Sequence, residues 1–94
     1  MPTKNEIVFN KAKALGATDV YVSKRKNKKY AVDYNNKKIH FGDVRYDDYL
    51  DHKDDKRREN YLKRAKKIKN KKGELTYKDK NSPNFWSTFV LWDG

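Results

Sequence analysis

The sequence predicts an α+β fold, a small three-stranded antiparallel meander with a basic helix and a short aromatic C-terminal helix packed on one face. Apolar and polar residues alternate in three short runs within 19–42, which is the period of a half-buried strand. Helix-start signals precede 4–15 and 83–91, and an apolar stripe at helical spacing runs through 55–70. A chain of 94 residues has room for one domain, so we expect all of it to form a single unit.

The first predicted element is a helix over 4–15. Thr3 and Glu6 have the spacing of a capping box, in which the threonine hydroxyl and the glutamate carboxylate satisfy backbone N–H groups of the first turn. Apolar residues follow at helical spacing. Gly16 stands where helices often end, because glycine adopts the left-handed backbone conformation at no steric cost.

The meander is predicted over 19–42. Its turns are expected at Lys26-Asn27-Lys28 and at Asn35-Asn36, since asparagine tolerates a positive φ. One face is apolar and would be covered by helices. We expect the opposite face to carry Lys24, Lys29, Lys38 and His40.

The charge of the chain is segregated. The formal net charge is +11, from 24 basic and 13 acidic residues. An acidic segment, a loop or a short helical turn, is predicted over 43–54. A basic helix over 55–70 is capped by Asp54 or Asp55, because a carboxylate is stabilised at the positive end of a helix. Residues 56–80 carry a net charge of +9. The apolar stripe of this helix, which we expect to pack against the sheet, consists of Tyr61, Leu62, Ala65 and Ile68.

The last element is a helix over 83–91, started by Ser82 as N-cap and Pro83 in the first turn. It brings Phe85, Trp86 and Phe89, three of the six phenylalanine and tryptophan residues, in a chain that is poor in aliphatic residues. We expect these rings to complete the core, and a docking patch for a partner is the alternative. The candidate core or interface aromatics are Phe41, Tyr61, Phe85, Trp86, Phe89 and Trp92.

The basic helix is the strongest functional signal. Lysine and arginine on successive turns can neutralise the phosphates of a nucleic acid and release counterions, while neighbouring aromatic rings offer stacking surfaces. Contact with an acidic protein and a merely solvated helix are the alternatives. Since no base-reading motif is present, binding is expected to be independent of base sequence. The candidate nucleic-acid-binding residues are Lys56, Arg57, Lys63, Arg64, Lys67 and Lys71.

The signals for chemistry are weak, and we predict neither catalytic residues nor a cofactor. With no cysteine, the chain has no disulfide, no thiolate metal site and no cysteine nucleophile. Thr18 and Ser23 suggest no nucleophile, because no histidine or aspartate is expected beside them. A metal could be held only by a cluster of histidines and aspartates that has no recognised ligand spacing. The favoured interpretation is that these aspartates form ion pairs with Arg45, Arg57 and Arg58. That cluster is His40, Asp43, Asp47, Asp48, His52 and Asp54.

An ordered set of short motifs resembles a family of small, functionally unassigned proteins encoded by large nucleocytoplasmic DNA viruses. The set is Ile39-His40-Phe41-Gly42, Asp48-Tyr49, His52-Lys53-Asp54, Arg57-Arg58, Tyr61 with Arg64, Phe85-Trp86-Ser87 and Leu91-Trp92. This sequence departs from the pattern at Pro83-Asn84, where Ala-Gly is common, and at Ala65, where a histidine is common. The resemblance implies a viral source and an order of sheet, acidic turn, basic helix and aromatic C-terminus. It implies no catalytic residue.

These observations together predict a non-enzymatic basic viral accessory or structural protein that contacts nucleic acid, DNA rather than RNA, without sequence specificity. The alternative is a minor capsid or virion-assembly protein that binds acidic surfaces of other virion subunits, and a metal-dependent nuclease is a third possibility. The expected location is the virion, the host-cell cytoplasm or the viral factory. The N-terminus has no apolar segment of a secretory signal, and no apolar run is long enough for a transmembrane helix.

Overall fold

Residues 2–94, which the computed structural model describes, form three antiparallel strands and a set of short helices, and this confirms the predicted α+β class. The chain begins with α1 (Lys4–Ala14), followed by β1 (Asp19–Val22), β2 (Tyr30–Tyr34) and β3 (Lys37–Phe41). Two helices follow, α2 (Tyr49–His52) and α3 (Asp55–Ala65), and then a 3₁₀ turn (Thr76–Lys78). The last helix, α4 (Pro83–Trp86), continues directly into a π-helical turn (Ser87–Leu91). None of the helices in residues 2–94 is both long and apolar enough to cross a bilayer.

The sheet is a meander in the order β1-β2-β3. Val20 lies opposite Val32, which in turn lies opposite Ile39, so that apolar side chains of all three strands share one face. Asn35 and Asn36 join β2 to β3 with φ values of 53° and 61°. Two successive positive φ values are typical of the hairpin turn whose twist matches that of the strands.

The apolar face of the sheet is covered by α1 and by residues 83–94, which comprise α4, the π-helical turn and the residues after it. We refer to residues 83–94 as the C-terminal segment. Thr3 caps α1 by accepting the N–H of Glu6 at 3.2 Å, and Ser82 caps α4 by accepting the N–H of Asn84 at 3.3 Å. Burial of these faces removes large apolar side chains from water, which is the main force that holds the elements together. The largest fully buried apolar side chains are Trp86, Phe41, Leu91, Val8, Val32 and Val90.

The basic helix is shorter than predicted, since α3 ends at Ala65 and not at residue 70. After Lys66 the chain turns back, and Lys69 forms an isolated antiparallel bridge with Leu75. The Asn70 side chain accepts the N–H groups of Lys72 and Glu74, at 2.9 and 3.0 Å. Asparagine thus satisfies the local backbone in a non-helical form, which competes with helix continuation. We refer to residues 66–75 as the lysine turn.

The expected packing of the basic helix on the sheet is also corrected. α3 lies against α2 and the C-terminal residues: Tyr61 stacks on Trp92, and the Asn84 amide donates to the Ala65 carbonyl at 2.8 Å. Ile68, the last residue of the predicted stripe, is 48% exposed because the helix has already ended. The basic helix therefore forms an outer layer that reaches the sheet through the C-terminal segment.

The acidic segment, which was predicted over 43–54 as a loop or a short helical turn, takes the helical form in part. It contains α2, whose capping box joins the Asp48 and Asp51 side chains to the backbone. Lys29, which we expected on the open face of the sheet, turns instead toward this helix and contacts Asp48 at 2.8 Å. Lys29 lies before the first residue of β2. The alternation of side chains between the two faces of the strand therefore does not determine the direction of its side chain.

Candidate nucleic-acid interface

α3 carries four of the six predicted nucleic-acid-binding residues. It starts at Asp54, whose carboxylate accepts the N–H groups of Lys56 and Arg57 at 3.0 and 3.2 Å. The carboxylate thereby accepts hydrogen bonds from N–H groups that the first turn of a helix leaves unpaired. Its negative charge is also stabilised by the positive end of the helix dipole. Asp54, at the end of the acidic segment, thus determines where the basic helix begins.

One face of α3 lines a groove. Arg57, Asn60, Tyr61 and Arg64 follow at spacings of three, four and seven residues, so they lie on the same side of the helix, and all four line it. Lys56 and Lys63, the other two predicted residues on α3, do not line the groove. The structure therefore separates two arginines that face a cavity from two lysines on the outer flank.

The groove, which we call the α3 groove, has a volume of about 860 Å³. The C-terminal segment contributes Asn84, Ser87 and Trp92, and the loop after β3 contributes Gly42, Asp43 and Tyr46. The Gly42 N–H donates to Ser87 Oγ at 3.2 Å, which ties the loop to the C-terminal segment. Lys28, from the turn between β1 and β2, also lines the groove.

Aromatic rings brace the end of the groove near the C-terminus. The Tyr61 and Trp92 rings stack with their centroids 4.1 Å apart, and the ring of His52 lies 5.2 Å from that of Trp92. Burial raises the pKa of Tyr61 above its usual range, so its hydroxyl stays neutral near pH 7.

His52 has one ring nitrogen that the described residues leave without a partner. Its Nδ1 accepts the N–H of Asp54 at 2.9 Å, so the proton of a neutral ring lies on Nε2. Nε2 is buried and has no hydrogen-bond partner among residues 2–94. Buried polar atoms are normally paired, so this donor calls for an explanation.

Three of the four acidic residues of the candidate metal cluster, Asp43, Asp48 and Asp54, have other partners. Asp43 binds the guanidinium of Arg45 through two contacts, at 3.0 and 2.8 Å. These hydrogen bonds lower the pKa of Asp43 to about 2. Asp48 is 2% exposed and contacts Lys29 at 2.8 Å and Lys4 at 3.0 Å.

The predicted pairing with arginines is right for Arg45 and Arg57 and wrong for Arg58. Arg57 lies 3.8 Å from Asp54, whereas Arg58 donates to the backbone carbonyls of Trp92, at 3.1 Å, and Asp93. Within residues 2–94, no three histidine or acidic side chains are grouped so that they could hold a metal ion.

The expectation that Ser23 has no histidine beside it is wrong. On the open face of the sheet, Ser23 Oγ lies 2.7 Å from His40 Nδ1. His40 lies opposite Ala31, which lies opposite Tyr21, and Ser23 follows two residues later on the same face. Burial, and then the charges of Arg25 and Lys38, lower the pKa of His40, so the ring is neutral near pH 7. The strand pairing that brings Ser23 beside His40 depends on the length of the turn around 26–28. The sequence pattern does not determine that length.

Several predicted cations are free of ion pairs. Lys56, Arg64, Lys67 and Lys71 are exposed, and none has an acidic partner within 4 Å among residues 2–94. Lys63 lies 3.5 Å from Glu59, and both side chains are more than half exposed. Such surface pairs contribute little and leave the charges accessible. Lys67 and Lys71 belong to the lysine turn, although Lys67 was predicted to lie in the helix.

Sequence reasoning missed part of the groove. The spacing of Arg57, Asn60, Tyr61 and Arg64 is a signal that could have identified the face of the helix. By contrast, nothing in the sequence pattern indicates that Lys28 and Tyr46 come to the same cavity, because loops of irregular backbone carry them there.

Comparisons with curated proteins and with solved structures each return no match. The model of a family of unknown function (DUF5754) matches residues 18–65, just over half of the chain. The matched part includes the whole sheet, the acidic segment, His52 and α3, and thus one side of the α3 groove. The chain therefore belongs to this family of unknown function, DUF5754.

Proposed function

We propose that this protein is a non-enzymatic basic accessory or structural protein of a large nucleocytoplasmic DNA virus, and that it binds nucleic acid through charge and without sequence specificity. The binding surface is the outer flank of α3 together with the lysine turn. The viral source rests on the motif resemblance given above. DNA is the nucleic acid that such a source favours.

One observation carries the proposal: apart from Arg58, the basic charges of 56–72 are exposed and mostly unpaired, whereas most of the acidic charges before them are engaged in caps and ion pairs. Asp48 and Asp54 illustrate this, since one is buried between two lysines and the other caps α3. The positive potential of the helix and the lysine turn is therefore not cancelled by the neighbouring carboxylates. A concentrated positive surface attracts polyanions and accelerates their encounter.

The side chains of this surface are suited to contacts with phosphates and not with base edges. Lysine side chains on a helix flank and on a turn carry point charges, which position a nucleic acid without reading its sequence. Binding should therefore be equal for duplexes of different sequence and should depend steeply on salt.

The test is a titration of fluorescent duplex DNA at a series of salt concentrations. If five or six lysines and arginines each neutralise one phosphate, the slope of log K against log salt is about −5, at about −0.9 per contact. Lys63→Glu combined with Lys67→Glu should flatten the slope by about two units. Both side chains are exposed, so the fold should be retained.

The matched control is Lys24→Glu combined with Lys37→Glu. These lysines are also exposed, they belong to the β1–β2 turn and to β3, and their change alters net charge by the same amount. The control should shift the slope by less than one unit, because only long-range charge is altered. If neither duplex nor single-stranded DNA binds at low ionic strength, or if both double variants behave alike, the proposed surface is wrong.

The second candidate is a virion-assembly role on acidic protein surfaces. It is favoured by two exposed apolar side chains beside the charged regions, Val44 at 55% and Ile68 at 48%. Exposed apolar groups among charges suit a protein partner better than a phosphate backbone. Salt-sensitive binding to acidic virion proteins, with no binding to DNA, would support this role.

A further inference from the structure

We propose that the α3 groove holds a nucleotide of an unpaired strand, with its phosphate bound by Arg57 and Arg64 and its base stacked on Tyr46. This inference rests on the proposed function and deepens it, because it predicts a preference for single-stranded over duplex nucleic acid. The preference comes from a built cavity and not from net charge alone.

The cationic side of the groove consists of two arginines. Arg57 and Arg64 lie on one face of α3, two turns apart, which places them about 10 Å apart along the helix axis. The guanidinium group presents a planar set of donors that binds phosphate oxygens in pairs. Arg64 has no acidic partner within 4 Å among residues 2–94, and the pair of Arg57 with Asp54 is long, at 3.8 Å, and exposed.

The aromatic side is Tyr46, which is 67% exposed although it lines the groove. Its ring adds nothing to the buried core, and the guanidinium of Arg45 lies 5.9 Å from its centre. An exposed ring at the edge of a basic groove is the usual platform for an unpaired base, since every base has a π face. In a duplex the bases are stacked inside, so a duplex can offer phosphates to α3 but no base to Tyr46.

The charges that line the groove remain favourable to an anion. Lys29 is engaged by Asp48, and Asp43 is engaged by Arg45. Lys28, Arg57 and Arg64 then face one further carboxylate, that of Asp47. The net charge of the groove is therefore positive beside α3 and lower beside the loop after β3. This distribution suits one phosphate near the arginines and a neutral base near Tyr46.

His52 supplies a second, independent observation. It lines the groove, and its buried Nε2–H is the donor that the described residues leave unpaired. Nε2 itself is closed off from the groove, so an acceptor oxygen of a bound nucleotide would satisfy it only after a small shift of the side chains around it. The volume of about 860 Å³ lies within the range of small-molecule sites, so one nucleotide fits with room for the strand to continue.

The first experiment compares the affinities of a short oligothymidylate and a hairpin duplex with the same number of phosphates. Tyr46→Ala should weaken oligothymidylate binding about tenfold, in line with the loss of one stacked base, and should change duplex binding less than twofold. Tyr46→Phe keeps the ring and should bind like the wild type. Because Tyr46 is exposed, the alanine variant is expected to fold.

The second experiment uses two variants that lose the same charge from neighbouring positions on α3. Arg64→Gln removes a groove cation, and Lys63→Gln removes one on the outer flank. We expect Arg64→Gln to reduce oligothymidylate binding at least five times more than Lys63→Gln does. Lys63→Gln should weaken duplex binding at least as much as Arg64→Gln does, because the duplex binds on the outer flank.

The outcomes separate this inference from the function on which it rests. If duplex and oligothymidylate bind with equal salt-sensitive affinity and Tyr46→Ala changes neither, the groove is not a nucleotide site, while charge-driven binding stands. If neither probe binds at low ionic strength, both proposals fall. If Lys63→Gln and Arg64→Gln reduce oligothymidylate binding equally, the phosphate is not held in the groove.

Discussion

Trp92 stacks on Tyr61 with the two ring planes only 7° apart and the centroids 4.1 Å apart. The contact joins the C-terminal end of the chain to the middle of α3, and Arg58 reinforces it by donating to the carbonyl of Trp92 at 3.1 Å. Since α3 lies outside the sheet layer, this junction sets where the basic helix and its groove are held. The stability of α3 should therefore depend on the last residues of the chain.

Removing the indole tests this dependence. We expect Trp92→Ala to lower the free energy of unfolding by about 3 kcal/mol, because a large partly buried ring and its stacking partner lose contact. Trp92→Phe keeps a ring against Tyr61 and should lose about 1 kcal/mol. Urea denaturation of both variants measures the difference, and an alanine variant as stable as the wild type would show that α3 is held elsewhere.

The buried carboxylate of Asp48 should be one of the most sensitive positions in the acidic segment. Asp48→Asn keeps the size of the side chain but removes the charge between Lys29 and Lys4, and the Lys29 side chain is only 12% exposed. Leaving a buried ammonium group without its main partner is expected to lower the free energy of unfolding by about 3 kcal/mol.

The control is Asp43→Asn, which breaks an exposed pair with Arg45. Exposed pairs contribute between about 0 and 1 kcal/mol, so this variant should unfold close to the wild-type denaturant midpoint. Equal midpoints for the Asp48 and Asp43 variants would contradict the view that the Lys4–Asp48–Lys29 contacts hold α1 and α2 to the sheet.

The fold class could be predicted because its signals are local. The Asn35-Asn36 turn, the Thr3 and Ser82 caps and the alternation of the strands each depend on residues a few positions apart. The end of α3 could not be predicted in this way. The lysines after Ala65 are good helix formers. The turn there is stabilised by the side chain of Asn70, which binds the backbone of 72 and 74, and by contacts across the turn such as the Thr76 N–H, which donates to the Ile68 carbonyl at 3.0 Å.

The candidate site was predictable in its charge and not in its shape. A cationic α3 follows from composition, but the groove requires the loop at 42–48 and the C-terminal segment to meet across more than forty residues of sequence. The partners of Asp48 are also distant in sequence, since Lys4 lies 44 residues away and Lys29 lies 19 residues away. Pairings of this kind are fixed by tertiary packing, and no periodicity encodes them.

Tyr21 should ionise later than an ordinary tyrosine. Its hydroxyl donates a hydrogen bond to Asp33, and this contact, with the neighbouring carboxylate charges, raises its pKa from 10.0 to about 12. The neutral phenol is favoured in the folded state, so its stabilising effect is complete below pH 10 and is lost as pH rises through 12. Ring-carbon NMR shifts followed to about pH 11 should show Tyr21 unmoved while exposed tyrosines titrate.

The control for this titration is Asp33→Asn, which removes the carboxylate and should bring the pKa of Tyr21 back toward 10. A wild-type Tyr21 that titrates together with the exposed tyrosines would show that the hydroxyl does not bind Asp33 in solution.

Gly42 combines two constraints that can be measured separately. Its φ of +81° disfavours any side chain, and a Cβ atom there would lie 2.9 Å from Leu91 Cδ1 and 3.0 Å from Lys29 Cβ. Gly73 in the lysine turn has the same φ of +81° but no atom within 4 Å of the position of a Cβ. Gly73→Ala therefore reports the backbone cost alone, expected to be about 1 kcal/mol.

Gly42→Ala should add the cost of crowding a packed region, which is typically about 1–3 kcal/mol, to the same backbone cost. The difference between the two variants in free energy of unfolding isolates the close approach of Gly42 to Leu91 and Lys29. Since Gly42 also lines the α3 groove and donates to Ser87, its alanine variant should weaken oligothymidylate binding where the Gly73 variant does not. Equal destabilisation by the two substitutions would mean that Gly42 does not pack closely against Leu91 and Lys29.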